Sequence, residues 1–188
     1  MKTKSSLIIG LALLISLSGY SRTEDKLTST KSHVKFFSHT VMEDIEANNY
    51  TTVSTINTET GDVVFSVPMQ GFEFAISTMQ KHFNSDKFLD TKAHPKSKLI
   101  GKITNIENID FSKDGEYEAH VEGELNIKGT MNPVKEKGLI IVKGNKIEVK
   151  SKFNVPLEDY GISFSKGKPS TNVAKVVEVS ILSEYIAE

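Results

Sequence analysis

The chain has no Cys and no Trp among its 188 residues, and only 5 Pro. Without thiols there is no disulfide framework, no thiolate metal site, no Cys nucleophile and no lipid anchored on Cys. Charge of one sign is missing too. The 23 basic and 24 acidic residues leave a formal net charge of -1, which excludes a histone-like or tail-type nucleic-acid binder. Basic residues are not interleaved with aromatics on one face, so no stacking platform for a nucleic acid is expected either. Gly, at 12 positions, is too sparse for a collagen-like or low-complexity chain.

Catalytic and metal signatures are equally absent. The five His, at 33, 39, 82, 94 and 120, include no i, i+4 pair of the zincin kind, and there is no Asp-x-Asp-x-Asp loop. No P-loop, G-x-G-x-x-G or G-x-S-x-G exists. Gly161-Ile162-Ser163-Phe164-Ser165 only echoes the serine elbow, without its closing Gly. Glu122 and Glu124 share a strand face, and Glu43, Asp44 and Glu46 cluster; both groups read as solvated. No catalytic residue, metal ligand or cofactor is expected.

Long apolar runs are scarce. The one clear case, Leu7–Leu17 (LIIGLALLISL), follows Lys2 and Lys4 and precedes the small residues Ser18, Gly19 and Ser21. That is the layout of a secretory signal. As a helix it reaches about 16 Å, roughly half a bilayer core, so no membrane-spanning segment is expected. Leu17-Ser18-Gly19-Tyr20 imitates a lipobox, with Tyr where the acylated Cys would stand. The expectation is a signal peptide over 1–21, a flexible lead-in over 22–31 and one domain over 32–188, periplasmic or secreted and not a lipoprotein. Loss of Lys2 and Lys4 would bring the net charge to -3.

Beyond Ser21 there are 15 Val and 14 Ile against 7 Leu, a ratio that favours the pleated surface over the helix. From Glu116 to Lys128 apolar or small residues alternate with polar ones without exception: Tyr117, Ala119, Val121, Gly123, Leu125 and Ile127 on one face, Glu116, Glu118, His120, Glu122, Glu124, Asn126 and Lys128 on the other. One buried and one wet face mark an antiparallel sheet. Similar alternation predicts strands over 33–38, 50–57, 63–67, 72–76, 99–103, 138–142, 147–155 and 173–185, with turns at Thr58–Asp62, Asp114-Gly115 and Gly144-Asn145. One segment breaks the period. In Ser77–Thr91, Met79 and Phe83 are four apart and Phe88 and Leu89 follow, predicting one or two short helices, with Ser77 and Ser85 as N-caps. The fold class is therefore all-β, an up-and-down antiparallel barrel of about eight strands with one or two short helices capping a mouth. Small inward residues, Gly101, Ala119, Gly123, Gly138 and Ser151, suggest room inside such a barrel. The alternative is that strand glycines relieve a bend.

The chain also resembles a bacterial family, the YceI-like, polyisoprenoid-binding proteins, from about Ser32 to Tyr185. The similarity lies in His82-Phe83-Asn84-Ser85-Asp86-Lys87-Phe88-Leu89-Asp90 with Pro95, Leu99 and Gly101 after it. It lies also in Gly123-Glu124-Leu125-Asn126-Ile127-Lys128-Gly129-Thr130, and in Phe153-Asn154-Val155 leading to Asp159-Tyr160-Gly161-Ile162. Ser97-Lys98-Leu99 departs from a commoner Ala-Thr-Phe, and Met131-Asn132 stands where a Thr is usual. The resemblance implies a lipocalin-like barrel holding an apolar or amphiphilic lipid, such as a polyisoprenoid, an isoprenoid quinone precursor or a fatty-acid-like molecule. It implies transport, storage or scavenging, in some members linked to stress, with no catalytic residues. A homodimer is compatible with it.

The lining expected for the cavity is Phe36, Phe65, Val67, Phe72, Phe74, Met79, Phe83, Phe88, Leu99, Ile103, Val121, Gly123, Leu125, Ile127, Phe153 and Val155. Two other readings remain at this stage. One is an enzyme acting on a bound lipid, for which Tyr117 and Tyr160 are the candidate polar groups. The other is a filled barrel with a structural or adhesive role.

Overall fold

The computed structural model describes residues 26–162 and 172–187. The expected signal peptide, residues 22–25 of the lead-in, and Ser163 to Ser165 lie outside the described residues. Ten strands follow in order: β1 Lys26–His39, β2 Asp44–Asn49, β3 Val53–Asn57, β4 Asp62–Pro68, β5 Phe72–Phe74, β6 Lys96–Ile103, β7 Gly115–Ile127, β8 Thr130–Lys143, β9 Lys146–Pro156 and β10 Val176–Ile186. A helix, α1 (Ser77–Asn84), stands between β5 and β6, and short 3-10 turns occupy Met69–Gly71, Ile106–Asn108 and Leu157–Tyr160. All pairings are antiparallel. Eight strands close a barrel, running β1-β10-β9-β8-β7-β6-β4-β3 and back to β1.

Closure is uneven, and the unevenness shapes the interior. One edge of β1 is shared: Lys26–Thr28 pair with β3, whereas Val34–His39 pair with β2, which passes on to β5. Asn49 braces the wedge between those two partners. Its fully buried amide donates to Pro68 O at 2.7 Å and accepts from Thr51 and Thr52. On the opposite wall, β8 and β9 pair only between Gly138 and Lys143 on one side and Ser151 and Lys146 on the other. Residues 152–156 of β9 pair with β10 alone. The wall is therefore split between the first half of β8 and the last part of β9.

The alternation of β7 holds, with Ala119 and Leu125 buried and Glu116, Glu118, Glu122 and Glu124 exposed. Outward carboxylates meet lysines across the strands, as in Lys135–Glu122 (2.9 Å) and Lys152–Glu178 (2.9 Å). Such exposed pairs contribute about 0–1 kcal/mol each. Inside, the packing forms two clusters. At the helix end, Phe36, Phe72, Phe74 and Phe88 surround Phe83, with ring centroids 5.1–6.2 Å from it. At the far end the cluster is mostly aliphatic, built on Ile56, Val63, Ile103, Ile140, Val142 and Ile147 around Tyr185. The Tyr185 hydroxyl and Ser54 Oγ lie 2.6 Å apart in the interior. Burial pushes the Tyr185 phenol up to about 12.

Several expectations need correction. The lead-in is shorter than 22–31, because β1 begins at Lys26 and Leu27 is buried in the far-end cluster. Asp44 and Glu46 are exposed as expected, but they stand on a strand the sequence did not suggest, β2, whose Ile45 and Ala47 are buried; two alternating residues between acids were too short a signal. The strand expected over 50–57 starts only at Val53, and that over 72–76 ends at Phe74, with Ile76 exposed. Of the one or two helices expected, one is present among the described residues. Ser77 is its first residue rather than its cap, and Ser85 closes its C-terminus with Oγ donating to His82 O at 2.7 Å.

Gly101 and Gly123 do not leave room. They face each other across β6 and β7. A Cβ on Gly123 would come within 2.5 Å of Gly101 Cα and closer still to Ile100 O, and one on Gly101 within 2.7 Å of Glu122 O. The pair lets two backbones approach closely, one of the uses of glycine within a strand.

Candidate functional site

The barrel encloses a cavity of about 130 Å³ at the helix end. Its wall comes from every side. β1 and β10 contribute Val34, Phe36, Val177, Val179 and Ile181; β4 and β6 contribute Phe65, Val67, Ser97 and Leu99. β7 and β9 add Leu125, Ile127, Phe153 and Val155, while Phe72, Phe83, Phe88 and Leu89 close the helix end. A second cavity of about 50 Å³ lies toward the far end, bordered by Ile56, Ile103, Ala119, Val121 and Ile140. Phe65, Leu99, Leu125, Phe153 and Ile181 border both. These five side chains form an apolar partition across the barrel.

Of the expected lining, Phe36, Phe65, Val67, Phe72, Phe83, Phe88, Leu99, Leu125, Ile127, Phe153 and Val155 come together around the larger cavity. Ile103 and Val121 line the smaller one instead. Phe74 packs on Phe36 and Phe83 without reaching either space. Met79 is half-buried on α1 and lines neither cavity, and Gly123 is held in its backbone contact with β6.

The expected lining left out Val34, Leu89, Val173, Val177, Val179 and Ile181, although the strand and helix patterns held them, and overlooked Met69, Leu157 and Ile162, whose strand-end and turn positions carry no period. It also passed over two polar residues that share the parity of inward neighbours. Ser97 stands two before Leu99 on β6. Glu136 stands two before Gly138 on β8 and borders the smaller cavity beside the split in the wall. Burial pushes the Glu136 carboxyl up from its ordinary value.

The two tyrosines that an enzymatic reading would need line neither cavity. Tyr117 donates its hydroxyl to Lys113 O at 3.0 Å. Tyr160 is buried, with burial pushing its phenol up, while the neighbouring Asn132 Nδ2 donates to Asp159 O at 2.7 Å. Among the described residues, no group of three or more His, Asp or Glu could hold a metal ion. None of their helices is long and apolar enough to cross a membrane.

An eight-stranded barrel with one helix at its end and an apolar interior narrows the field, and the match to a domain model decides it. The model of the YceI-like domain covers residues 26–185. The chain belongs to the YceI-like family. Solved structures share the fold at low identity. A polyisoprenoid binding domain from Saccharophagus degradans, implicated in plant cell wall breakdown, is 13% identical, with a TM-score of 0.74 over 87% of this chain and 99% of that one. BcnA of Burkholderia cenocepacia is 14% identical, with a TM-score of 0.68 over 81% and 95%. A Campylobacter jejuni YceI protein is 15% identical, with a TM-score of 0.59 over 80% and 89%. No curated protein sequence matches.

Proposed function

We propose that this chain is an exported, non-enzymatic carrier that holds a polyisoprenoid or similar amphiphilic lipid inside the barrel for transport, storage or scavenging. The observation that carries the reading is the cavity at the helix end, whose wall among the described residues is apolar except at Ser97 and Lys98. Each CH₂ moved from water into such a wall contributes about 0.8 kcal/mol, and no hydrated charge has to be stripped there. The named affinity of the Saccharophagus degradans relative for a polyisoprenoid supports the ligand class. The charged and then apolar start of the chain supports export.

Size adds a requirement. A cavity of about 150 Å³ is enough for a benzene-sized molecule, so 130 Å³ receives only the first part of a long chain. A longer ligand must turn aside the partition of Phe65, Leu99, Leu125, Phe153 and Ile181 and join the two spaces. Mass spectrometry of organic extracts from gently purified protein tests the proposal. The expected result is a defined lipid at near-stoichiometric amount. Protein that is empty on isolation, and that also fails to take up added prenol, would overturn it.

A further inference from the structure

Ser97 carries the interior's one unexplained polar atom. The residue is 7% exposed, on the inward face of β6, and it lines the larger cavity. Its Oγ is buried, and it alone among the buried side-chain nitrogens and oxygens described has no hydrogen-bond partner. Other buried hydroxyls are paired: Ser32 with Ser183, Ser54 with Tyr185, Thr91 with Asn84. A buried hydroxyl without a partner is costly, so its presence in an otherwise apolar wall asks for an occupant that completes it. The same position is a departure from the commoner Ala of the resembling motif.

From this we infer that Ser97 is the polar anchor of the site, and that it selects a lipid with a neutral oxygen, a hydroxyl or carbonyl, held near the mouth. The inference rests on the proposed function and deepens it. Position gives the orientation. Ser97 pairs with Val67 near the mouth end of β6, level with the aromatic cluster. The oxygen therefore sits toward α1, and the hydrocarbon points at the partition and the far end. Charge gives the chemistry. Among the described residues, Lys98 is the only charged residue on that wall, and it belongs to the exposed parity of β6. No described inward cation compensates a buried anion there, and an uncompensated buried charge is expensive. A serine hydroxyl can donate to a ligand carbonyl, and can donate to or accept from a ligand hydroxyl.

The test uses three probes of one skeleton: farnesol, the hydrocarbon farnesane and farnesyl diphosphate. Each is titrated by displacement of a fluorescent naphthylamine dye from the wild type, Ser97→Ala and Ser97→Thr. The wild type should prefer farnesol to farnesane. Ser97→Ala should weaken farnesol by about three- to tenfold, as a lost hydrogen bond implies, and leave farnesane unchanged. Ser97→Thr, which keeps the hydroxyl, should keep the preference. Unliganded Ser97→Ala should melt no lower than the wild type, because it removes an unpaired polar group. Equal weakening of farnesol and farnesane, or no change in either, would overturn the anchor while leaving the carrier reading intact. Farnesyl diphosphate depending on Ser97 more than farnesol does would overturn the neutral head. Binding of none of the three by the wild type would sink the anchor and the carrier together.

Discussion

The two ends of the barrel are built from different materials. The far end is mostly aliphatic, with Ile56, Ile103, Ile140, Val142 and Ile147 all 2% exposed or less, its central Tyr185 paired to Ser54, and little space left over. The helix end is aromatic, looser, and holds the larger cavity. β-branched side chains have few rotamers and set hard in a pleated wall. Phenylalanines arranged edge to face leave gaps that can be re-partitioned. The contrast teaches that tight packing and free space are separated along the barrel axis, with Gly101 and Gly123 at the waist between them.

The sharpest way to break this division is to empty each end in turn. Ile140→Ala at the far end should cost about 2–5 kcal/mol, read by urea unfolding of delipidated protein, with lipid per mole unchanged in what remains folded. Phe88→Ala at the helix end should cost less than that, and should lower bound lipid more than it lowers the melting temperature. The opposite ranking would mean that the helix end is the folding core.

A comparable effect should come from pH. The Tyr185 phenol, pushed up to about 12 from its ordinary 10, favours the folded state only while it stays protonated. Its contribution is complete below pH 10 and disappears as the pH rises from 10 to 12, a loss of about 3 kcal/mol. Alkaline unfolding followed by circular dichroism should show that decline, and Tyr185→Phe should flatten it. An equally steep decline in Tyr185→Phe would place its cause elsewhere.

At the waist, Gly123→Ala should destabilise by about 1–3 kcal/mol through overpacking against the β6 backbone, with bound lipid affected no more than stability. A gain in stability would mean that the two strands can part cheaply. Smallest of all, Lys152→Ala should cost at most about 1 kcal/mol, because the lysine is exposed and its half-buried partner Glu178 still faces water, which screens the pair. Thermal melts at low and high salt would read that difference.

The legibility of the molecule follows the same division. β7 could be read to within a residue at each end because thirteen consecutive residues kept one period, and the inward parity of β9 and β10 followed likewise. The helical break at Ser77 was visible in the four-residue spacing of Met79 and Phe83. β2 was not legible, since its burial rests on Ile45 and Ala47 between polar residues and on a partner, β1, that only the fold supplies. The glycines misled for a related reason. A missing side chain looks the same in sequence whether it frees space or admits another backbone, and only the register of Gly101 against Gly123 decides. Ser97 and Glu136 lay in plain view by parity and were passed over because a polar residue was not sought on an inward face.

The split wall also bears on solubility. Closed barrels escape strand-on-strand association because they present no free edge, and here β8 over 130–137 and β9 over 152–156 do not pair with each other. A free edge of that kind is a template for an incoming chain. β8 carries Pro133 there, and proline fits a paired strand only where its nitrogen faces the unpaired side, so that edge lacks a donor. Lys135 and Lys137 follow on β8, and Lys152 and Pro156 bracket the facing stretch of β9. Lysine and proline are residues that deter strand addition. The opening beside the cavity can thus persist, because the residues that frame it refuse the hydrogen bonds of a foreign strand.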